Sequence, residues 1–231
     1  MLLALLAASI PLAFAVDMTL ARWAAAHGLE GDLKNIVRLS EAFAHGSGAL
    51  LIIVAALALD PRGWRVLPRL LLGAYGAGML ANVLKIVLAR RRPGKFDVNL
   101  EVWDSFQGLF AWREATSMQE ALSYDIQSFP SGHAATAAGL ACALSRLYPR
   151  GGWFFAMITA LACFQRIHDQ AHYLSDVLAG AAVGVLVNLL LELPRGRNWL
   201  TGIETKEAQN NTAPCIETPP GLSRSVNTMV S

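Results

Sequence analysis

Six long apolar runs follow one another along the 231-residue chain, and each contains few charged residues. The runs span 2–16, 42–59, 66–88, 134–147, 153–164 and 173–193. A helix that crosses a bilayer needs roughly 20 apolar residues, so the third and sixth runs are long enough and the first, fourth and fifth are marginal. The pattern predicts an all-α polytopic membrane protein, built as a bundle of six transmembrane helices.

Composition agrees with this class. A mean hydropathy of +0.40 and an apolar fraction of 54% lie outside the usual range of soluble domains. The net charge of +2 is too small to indicate a nucleic-acid partner. The three cysteines show neither the spacing of a disulfide framework nor that of a zinc site.

The first run has a second interpretation as a secretory signal, because Ala13-Phe14-Ala15 has the small-residue pattern of a cleavage site. However, no Lys or Arg precedes the run, as it does in secretory signals. Retaining the first helix also gives an even number of helices. We therefore expect it to be retained.

Charge in the connections predicts the orientation. The turns after the second, fourth and sixth runs carry Arg62, Arg65, Arg69, Arg146, Arg150, Arg195 and Arg197. By the positive-inside rule this face is cytoplasmic, so the long connections 17–41 and 93–129 lie on the other face. Within the second, 95–128 suits either an amphipathic interfacial helix or a packed loop. Residues 1–195 are predicted to form one membrane domain, followed by a disordered cytoplasmic tail, 196–231.

Three polar clusters lie at helix ends on the non-cytoplasmic face, where ionisable residues are costly and mark candidate sites. The first contains Lys85 and the run Arg90-Arg91-Arg92-Pro93. If the helix persists, Lys85 and Arg92 point the same way, because seven residues make almost two turns. Two cations that face one cavity need an anion between them, and phosphate fits. We expect Arg90 and Arg91 instead to anchor the chain at the membrane surface.

The second cluster is Pro130-Ser131-Gly132-His133, directly before the fourth run. Ser131 and Gly132 fall at a helix N-terminus, where free N–H groups favour an anion. His133 can hold or release a proton near neutral pH. The alternative is that Ser131 is only a helix cap and His133 an interfacial residue.

The third cluster lies between the fifth and sixth runs. His172 and Asp176 are four residues apart, so a helix places the carboxylate beside the imidazole. A carboxylate bonded to one ring nitrogen leaves the other free as a nucleophile, although a purely structural pair is the alternative. His168 and Asp169 are interpreted as structural, because adjacent residues do not share a helix face.

Taken together, three motifs in this sequence resemble the three signature motifs of one family. They are Lys85-x6-Arg92-Pro93, Pro130-Ser131-Gly132-His133 and Arg166-x5-His172-x3-Asp176. It is the type 2 phosphatidic acid phosphatase and vanadium haloperoxidase superfamily. The resemblance covers about residues 40 to 193 and implies a six-helix membrane phosphatase that needs no metal or other cofactor. One departure is Gln165, where the family usually has Ser.

The resemblance also implies roles for the site residues. His172 would attack phosphorus, Asp176 would orient it, and His133 would protonate the leaving group. The phosphoryl oxygens would be held by Lys85, Arg92, Ser131, Gly132 and Arg166. Such an enzyme would hydrolyse a lipid phosphate or an isoprenyl diphosphate at the outer membrane face. Positioning and charge neutralisation are most of what phosphoryl transfer requires.

Other functions stay open at this stage. The chain could transfer the phosphoryl group to a second lipid, whereas a haloperoxidase fits six membrane spans less well. A transporter or silent scaffold is the non-enzymatic alternative. The full set of nucleophile, orienting carboxylate, acid and anion-binding residues favours the enzyme. Candidate substrates are phosphatidic acid, phosphatidylglycerophosphate, an isoprenyl diphosphate and a lipid A phosphate.

Overall fold

The computed structural model describes residues 1–111 and 123–194, together with Gly196, Asn198 and Leu200. Most of these residues lie in seven helices. They are α1 (Leu2–Ala26), α2 (Gly31–Ala44), α3 (Gly46–Leu59), α4 (Gly63–Val87), α5 (Gly132–Leu147), α6 (Gly152–His168) and α7 (Leu174–Glu192). The predicted helical class is confirmed. The predicted tail lies, apart from three of its first five residues, outside the described part of the chain.

Three of these helices, α1, α4 and α7, are long and apolar enough to cross a membrane. Helices α2 and α3 pass the same test only as a pair, which is bent by 73° at a short break. Helices α5 and α6, with 16 and 17 residues, fall short of a full span. By length and composition, the described residues therefore contain three or four spans, and the count of six stays a prediction.

The sequence left open whether the third helix persists to Arg92, and it does not. Helix α4 ends at Val87, and strand β1 (Leu88–Arg90) follows, paired antiparallel with β2 (Phe106–Leu109). Pro93 favours this change, because the residue before a proline is biased towards extended backbone. The extended chain bonds to its surroundings, with Arg91 N donating to Ser105 O at 2.8 Å.

The first long connection differs from the prediction, whereas the second agrees with one of its two interpretations. Residues 17–41 are mostly helical, since α1 runs on to Ala26 and α2 begins at Gly31. The described part of 95–128 is a packed loop with short 3-10 turns and strand β2, as one of the two interpretations held. Residues 112–122 of that segment lie outside the described chain.

Helix α5 lies at the centre of the bundle and is buried along most of its length. Small residues let α7 approach it closely, as in many membrane helix pairs. A Cβ placed on Gly184 would lie 2.6 Å from Ala135 O, and one on Gly180 would collide with Ser131 O. This close packing brings the N-terminus of α7 beside the N-terminus of α5, where the second and third clusters lie.

Candidate active site

The N-terminus of α5 is tied directly to α7. Ser131 caps the helix, because its hydroxyl accepts a hydrogen bond from Ala134 N at 3.3 Å. Its backbone N–H donates to Asp176 O at 2.9 Å. Ser131 is thus a helix cap, as one interpretation held, and it also fixes the second cluster against the third.

His172 lies in the turn between α6 and α7 and is only 1% exposed. Its Nδ1 is 3.4 Å from the hydroxyl of Ser128 and 3.7 Å from Oδ2 of Asp176. Its Nε2 is 3.3 Å from Nη1 of Arg92. Acceptors surround Nδ1 and a cation faces Nε2, so the ring proton belongs on Nδ1 and the lone pair on Nε2.

Burial also sets the charge of this imidazole. Removal from water lowers the pKa of His172 to about 4, with Asp176 opposing the shift and Arg92 adding to it. The ring is therefore neutral at pH 7. A neutral imidazole with a free Nε2 lone pair is the form that can act as a nucleophile.

Arg92 is held by backbone carbonyls on both sides. Its guanidinium donates to Tyr124 O at 2.8 Å, Ala171 O at 2.9 Å and Gln127 O at 3.1 Å. The group also lies 3.5 Å from the centre of the Tyr124 ring. These contacts leave the cation fixed beside His172 instead of free in solvent.

Lys85 reaches the same region from α4. It is 8% exposed, and a Cβ placed on Gly132 would lie 3.6 Å from its Nζ. Its charged neighbours are Arg92 and Asp176. Lys85 and Arg92 therefore lie in the same region, and tertiary packing brings them together instead of a continuous helix.

Arg166, near the end of α6, is paired with carboxylates. Its Nη1 donates to Glu41 of α2 at 3.0 Å, while its buried Nε has no hydrogen-bond partner among the described residues. Gln165 donates to Glu41 at 3.2 Å and to Asp169 at 2.6 Å. The residue that departs from the family pattern thus binds carboxylates. An unused buried donor is costly, so Arg166 presents a group suited to an anion.

His133 is half-buried at the first turn of α5. The centre of its ring lies 5.9 Å from that of His45, which stands at the break between α2 and α3. The titratable groups nearest to it are Arg166, His172, Lys85 and His45. His133 is therefore placed among the other candidate residues, with a second histidine towards the exposed side.

The expectation that Arg90 anchors the membrane surface is wrong. Arg90 is completely buried, with Nη1 2.6 Å from Asp176 and Nη2 2.9 Å from Asp17. The extended backbone is the reason, because alternate residues of a strand share a face and Arg90 therefore lies on the same side as Arg92. Arg91, between them, is exposed, as expected of an anchor.

His168 and Asp169 are also better connected than predicted. His168 Nδ1 lies 3.4 Å from Asp169 Oδ1, and its Nε2 lies 3.1 Å from His27 O. They contact each other because the pair sits where α6 ends, so the rule for helix faces does not apply. Asp169 also joins the group around Arg166.

Four residues near the site were not predicted: Asp17, Glu41, Ser128 and Asn82. Asp17 carried a signal, since it is a single acid inside an apolar helix. Ser128 carried none, because small polar residues are common in loops. Asn82, whose Oδ1 would lie 3.0 Å from a Cβ on Gly132, is an uncharged polar residue within the third apolar run. Within the described chain, no group of three or more His, Cys, Asp or Glu side chains is arranged to hold a metal ion.

Comparison with known proteins gives one family. The model of the PAP2 superfamily matches residues 67–193, a range that contains all the motif residues from Lys85 to Asp176. The residues Asp17 and Glu41 lie outside it.

Three relatives carry the name lipid A 1-phosphatase. The chain is 34% identical over 115 residues to the protein of Rhizobium johnstonii, covering 49% of this chain and 41% of that one. It is 33% identical over 122 residues to the protein of Rhizobium etli, and the match covers 52% of this chain and 47% of that one. It is 38% identical over 84 residues to the protein of Porphyromonas gingivalis, and the match covers 31% of this chain and 19% of that one. The chain thus spans less than half the length of these relatives, and no solved structure matches it.

Proposed function

This chain belongs to the PAP2 superfamily, and from that premise we propose that it is a metal-independent lipid phosphatase that forms a phosphohistidine on His172. The single observation that supports this best is the buried imidazole itself. Its Nδ1 faces Ser128 and Asp176, and its Nε2 faces Arg92. A neutral, oriented imidazole with its free nitrogen on a cation is arranged to attack an anionic phosphorus centre.

The reaction has two steps. Nε2 of His172 attacks phosphorus, a P–N bond forms, the ester P–O bond breaks, and His133 gives its proton to the leaving oxygen. Water then attacks the phosphohistidine, His133 takes a proton from that water, and the P–N bond breaks to release inorganic phosphate. Microscopic reversibility lets one residue serve as acid and then as base. Asp176, through its contacts near Nδ1, stabilises the charge that the ring gains.

The phosphoryl oxygens need opposing charge and donors. Lys85, Arg92 and Arg166 supply three cations, and the hydroxyl of Ser131 and the backbone N–H of Gly132 supply donors at a helix N-terminus. The unpartnered Nε of Arg166 supports this assignment, since a phosphate oxygen would satisfy it. Three side-chain cations provide the charge neutralisation that a metal ion gives in other phosphoryl-transfer enzymes.

For the substrate we favour a lipid phosphate, with lipid A carrying a 1-phosphate as the first candidate. The three relatives support this choice by name. The long apolar helices support a lipid over a soluble phosphate ester, because the acyl chains can stay in the bilayer while the headgroup enters from the interface.

The proposal includes the predicted architecture. Residues 1–195 form one membrane domain with six crossings, in which α2 and α3 together make one crossing and α5 and α6 make one each. The site then lies on the non-cytoplasmic face. The positive-inside rule supports this orientation, since Arg69 and Arg146 both contact Glu192 and thus lie together at the helix ends opposite the site.

The test is phosphate release by the purified protein in detergent with EDTA present. The panel contains lipid A 1-phosphate, phosphatidic acid, phosphatidylglycerophosphate and an isoprenyl diphosphate. We expect EDTA-resistant release from at least one lipid, its loss in His172→Ala, and its retention in the matched control His168→Ala. Equal release by wild type and His172→Ala would exclude the phosphohistidine mechanism, and loss in EDTA would exclude metal independence.

A further inference from the structure

Arg90 joins two buried carboxylates that belong to two different helices. Its Nη2 donates to Asp17 of α1 at 2.9 Å, and its Nη1 donates to Oδ1 of Asp176 of α7 at 2.6 Å. All three charged side chains have no exposed surface. Ser175 completes the link, donating to Asp17 from its backbone at 3.0 Å and from its hydroxyl at 2.5 Å.

Aromatic rings enclose the guanidinium. Its carbon lies 4.0 Å from the centre of the Tyr173 ring, 4.6 Å from that of Phe106 and 5.3 Å from that of Phe14. The rings add cation–π attraction and keep water away from the ion pairs. A buried ion pair of this kind is weak evidence for stability, since apolar residues of the same volume often stabilise a fold as well. The group therefore suggests a role in the chemistry.

That role acts through Asp176. Its Oδ1 is occupied by Arg90, and its Oδ2 accepts from Ser128 at 2.5 Å and from Tyr173 N at 2.9 Å, next to the ring of His172. The contact with Arg90 thus decides which carboxylate oxygen faces the nucleophile. Asp17 in turn holds Arg90, because it takes the other arm of the guanidinium.

We infer that Asp17 and Arg90 are positioning residues for phosphoryl transfer, which fix the orientation and charge of Asp176 behind His172. This inference rests on the proposed function. Two carboxylates and one guanidinium leave one net negative charge beside a ring that turns positive when phosphorylated. Without Asp17, Arg90 would pair with Asp176 alone, and the negative charge that faces the phosphorylated ring would be weakened.

Helix α1 contributes to the reaction through Asp17. Asp17 lies in α1, outside the residues that the family model matches. Helix α1 packs along α7, so its position is coupled to the helix that carries Asp176. Asp17 is therefore a residue through which α1 affects the nucleophile without reaching the substrate.

The test compares Asp17→Asn with Asp60→Asn, using the lipid that the panel identifies. Asp60 is a matched control, because it is also buried and bonded to an arginine, Arg62 at 2.7 Å, but it lies at the other end of the bundle. For Asp17→Asn we expect kcat to fall about tenfold to a hundredfold, while KM changes less than about threefold. Losses of this size are typical when a residue that orients a metal-binding histidine is replaced. Asp60→Asn should keep wild-type kcat, whereas the melting temperature in detergent should fall further in Asp17→Asn, because Arg90 is fully buried and Arg62 is not.

The outcomes separate the two proposals. If Asp17→Asn keeps kcat within about twofold of wild type while His172→Ala is inactive, the positioning role is wrong and the proposed function stands. Equal losses of kcat and melting temperature in Asp17→Asn and Asp60→Asn would show a purely structural role. If His172→Ala is as active as wild type, both proposals fail.

Discussion

The hydroxyl of Ser128 donates to Oδ2 of Asp176 at 2.5 Å, and this contact completes the link between carboxylate and nucleophile. The direct distance from Asp176 to Nδ1 of His172 is 3.7 Å, which is too long for a hydrogen bond. The Ser128 hydroxyl, 3.4 Å from Nδ1, lies between the two groups. The orientation of His172 therefore depends on Ser128 as well as on Asp176.

We expect Ser128→Ala to lower kcat about tenfold, because one hydrogen bond near a charged group, of about 1.5 kcal/mol, is lost behind the nucleophile. KM should change little, since Ser128 is not assigned to the phosphate. Steady-state phosphate release measures both constants. Ser9→Ala is the control, because among the described residues the hydroxyl of Ser9 bonds only to Leu6 O of its own helix. A kcat within twofold of wild type would show that Asp176 orients His172 without the serine.

The sequence predicted which motif residues meet, but not how. Lys85 and Arg92 were expected to point the same way only if the helix persisted, and they lie in one region although α4 ends at Val87. The spacing of the motif residues still predicts that they lie close together. It does not predict the backbone conformation between them. The change from helix to strand depends on pairing with Phe106–Leu109, a contact distant in sequence.

Arg90 shows why other parts of the site could not be predicted. A run of arginines at a helix end is typical of a membrane anchor, and only burial separates Arg90 from Arg91. Its partner Asp17 is 73 residues away in sequence. Long-range ion pairs follow from how helices pack, and a single sequence contains little information about that packing.

Glu41 is expected to compete with the substrate phosphate for Arg166. Its carboxylate accepts from Nη1 at 3.0 Å, on the guanidinium that we assign to phosphate. Glu41→Gln removes the negative charge, so inorganic phosphate should inhibit the enzyme more strongly, with an inhibition constant lower by about threefold or more. Glu192→Gln, which affects the arginine pairs at the opposite helix ends, should leave it unchanged. Weaker inhibition in Glu41→Gln would instead mean that Glu41 aligns Arg166.

The pH dependence should reflect the low pKa of His172. Burial lowers this pKa from the ordinary 6.5 to about 4, and only the neutral ring can attack. The rate of phosphoenzyme formation should therefore stay high down to about pH 5 and be lost as pH falls through about 4. Rapid quenching measures this rate, after correction for the substrate's own ionisation by phosphorus NMR. A midpoint near 6.5 would show that the nucleophile is not buried as described.

Gly180 is expected to be essential for joining α7 to the N-terminus of α5. A Cβ at this position would collide with the backbone carbonyl of Ser131, which cannot rotate away as a side chain could. Gly180→Ala must therefore push α7 away from the anion-binding turn, destabilising the protein by about 1–3 kcal/mol. Because Ser131 N also bonds to Asp176 O, kcat/KM should fall in the protein that still folds.

The control is Gly28→Ala, since a Cβ on Gly28 meets no atom within 4 Å. Melting temperature in detergent and phosphate release should both stay at wild-type values in this variant. The two measurements have separate meanings for Gly180→Ala. A lower melting temperature with full activity would show that the contact serves packing alone, whereas unchanged values of both would contradict the close approach of α7 to Ser131. We expect both values to fall, because the same backbone contact joins the two helices and places Ser131 beside Asp176.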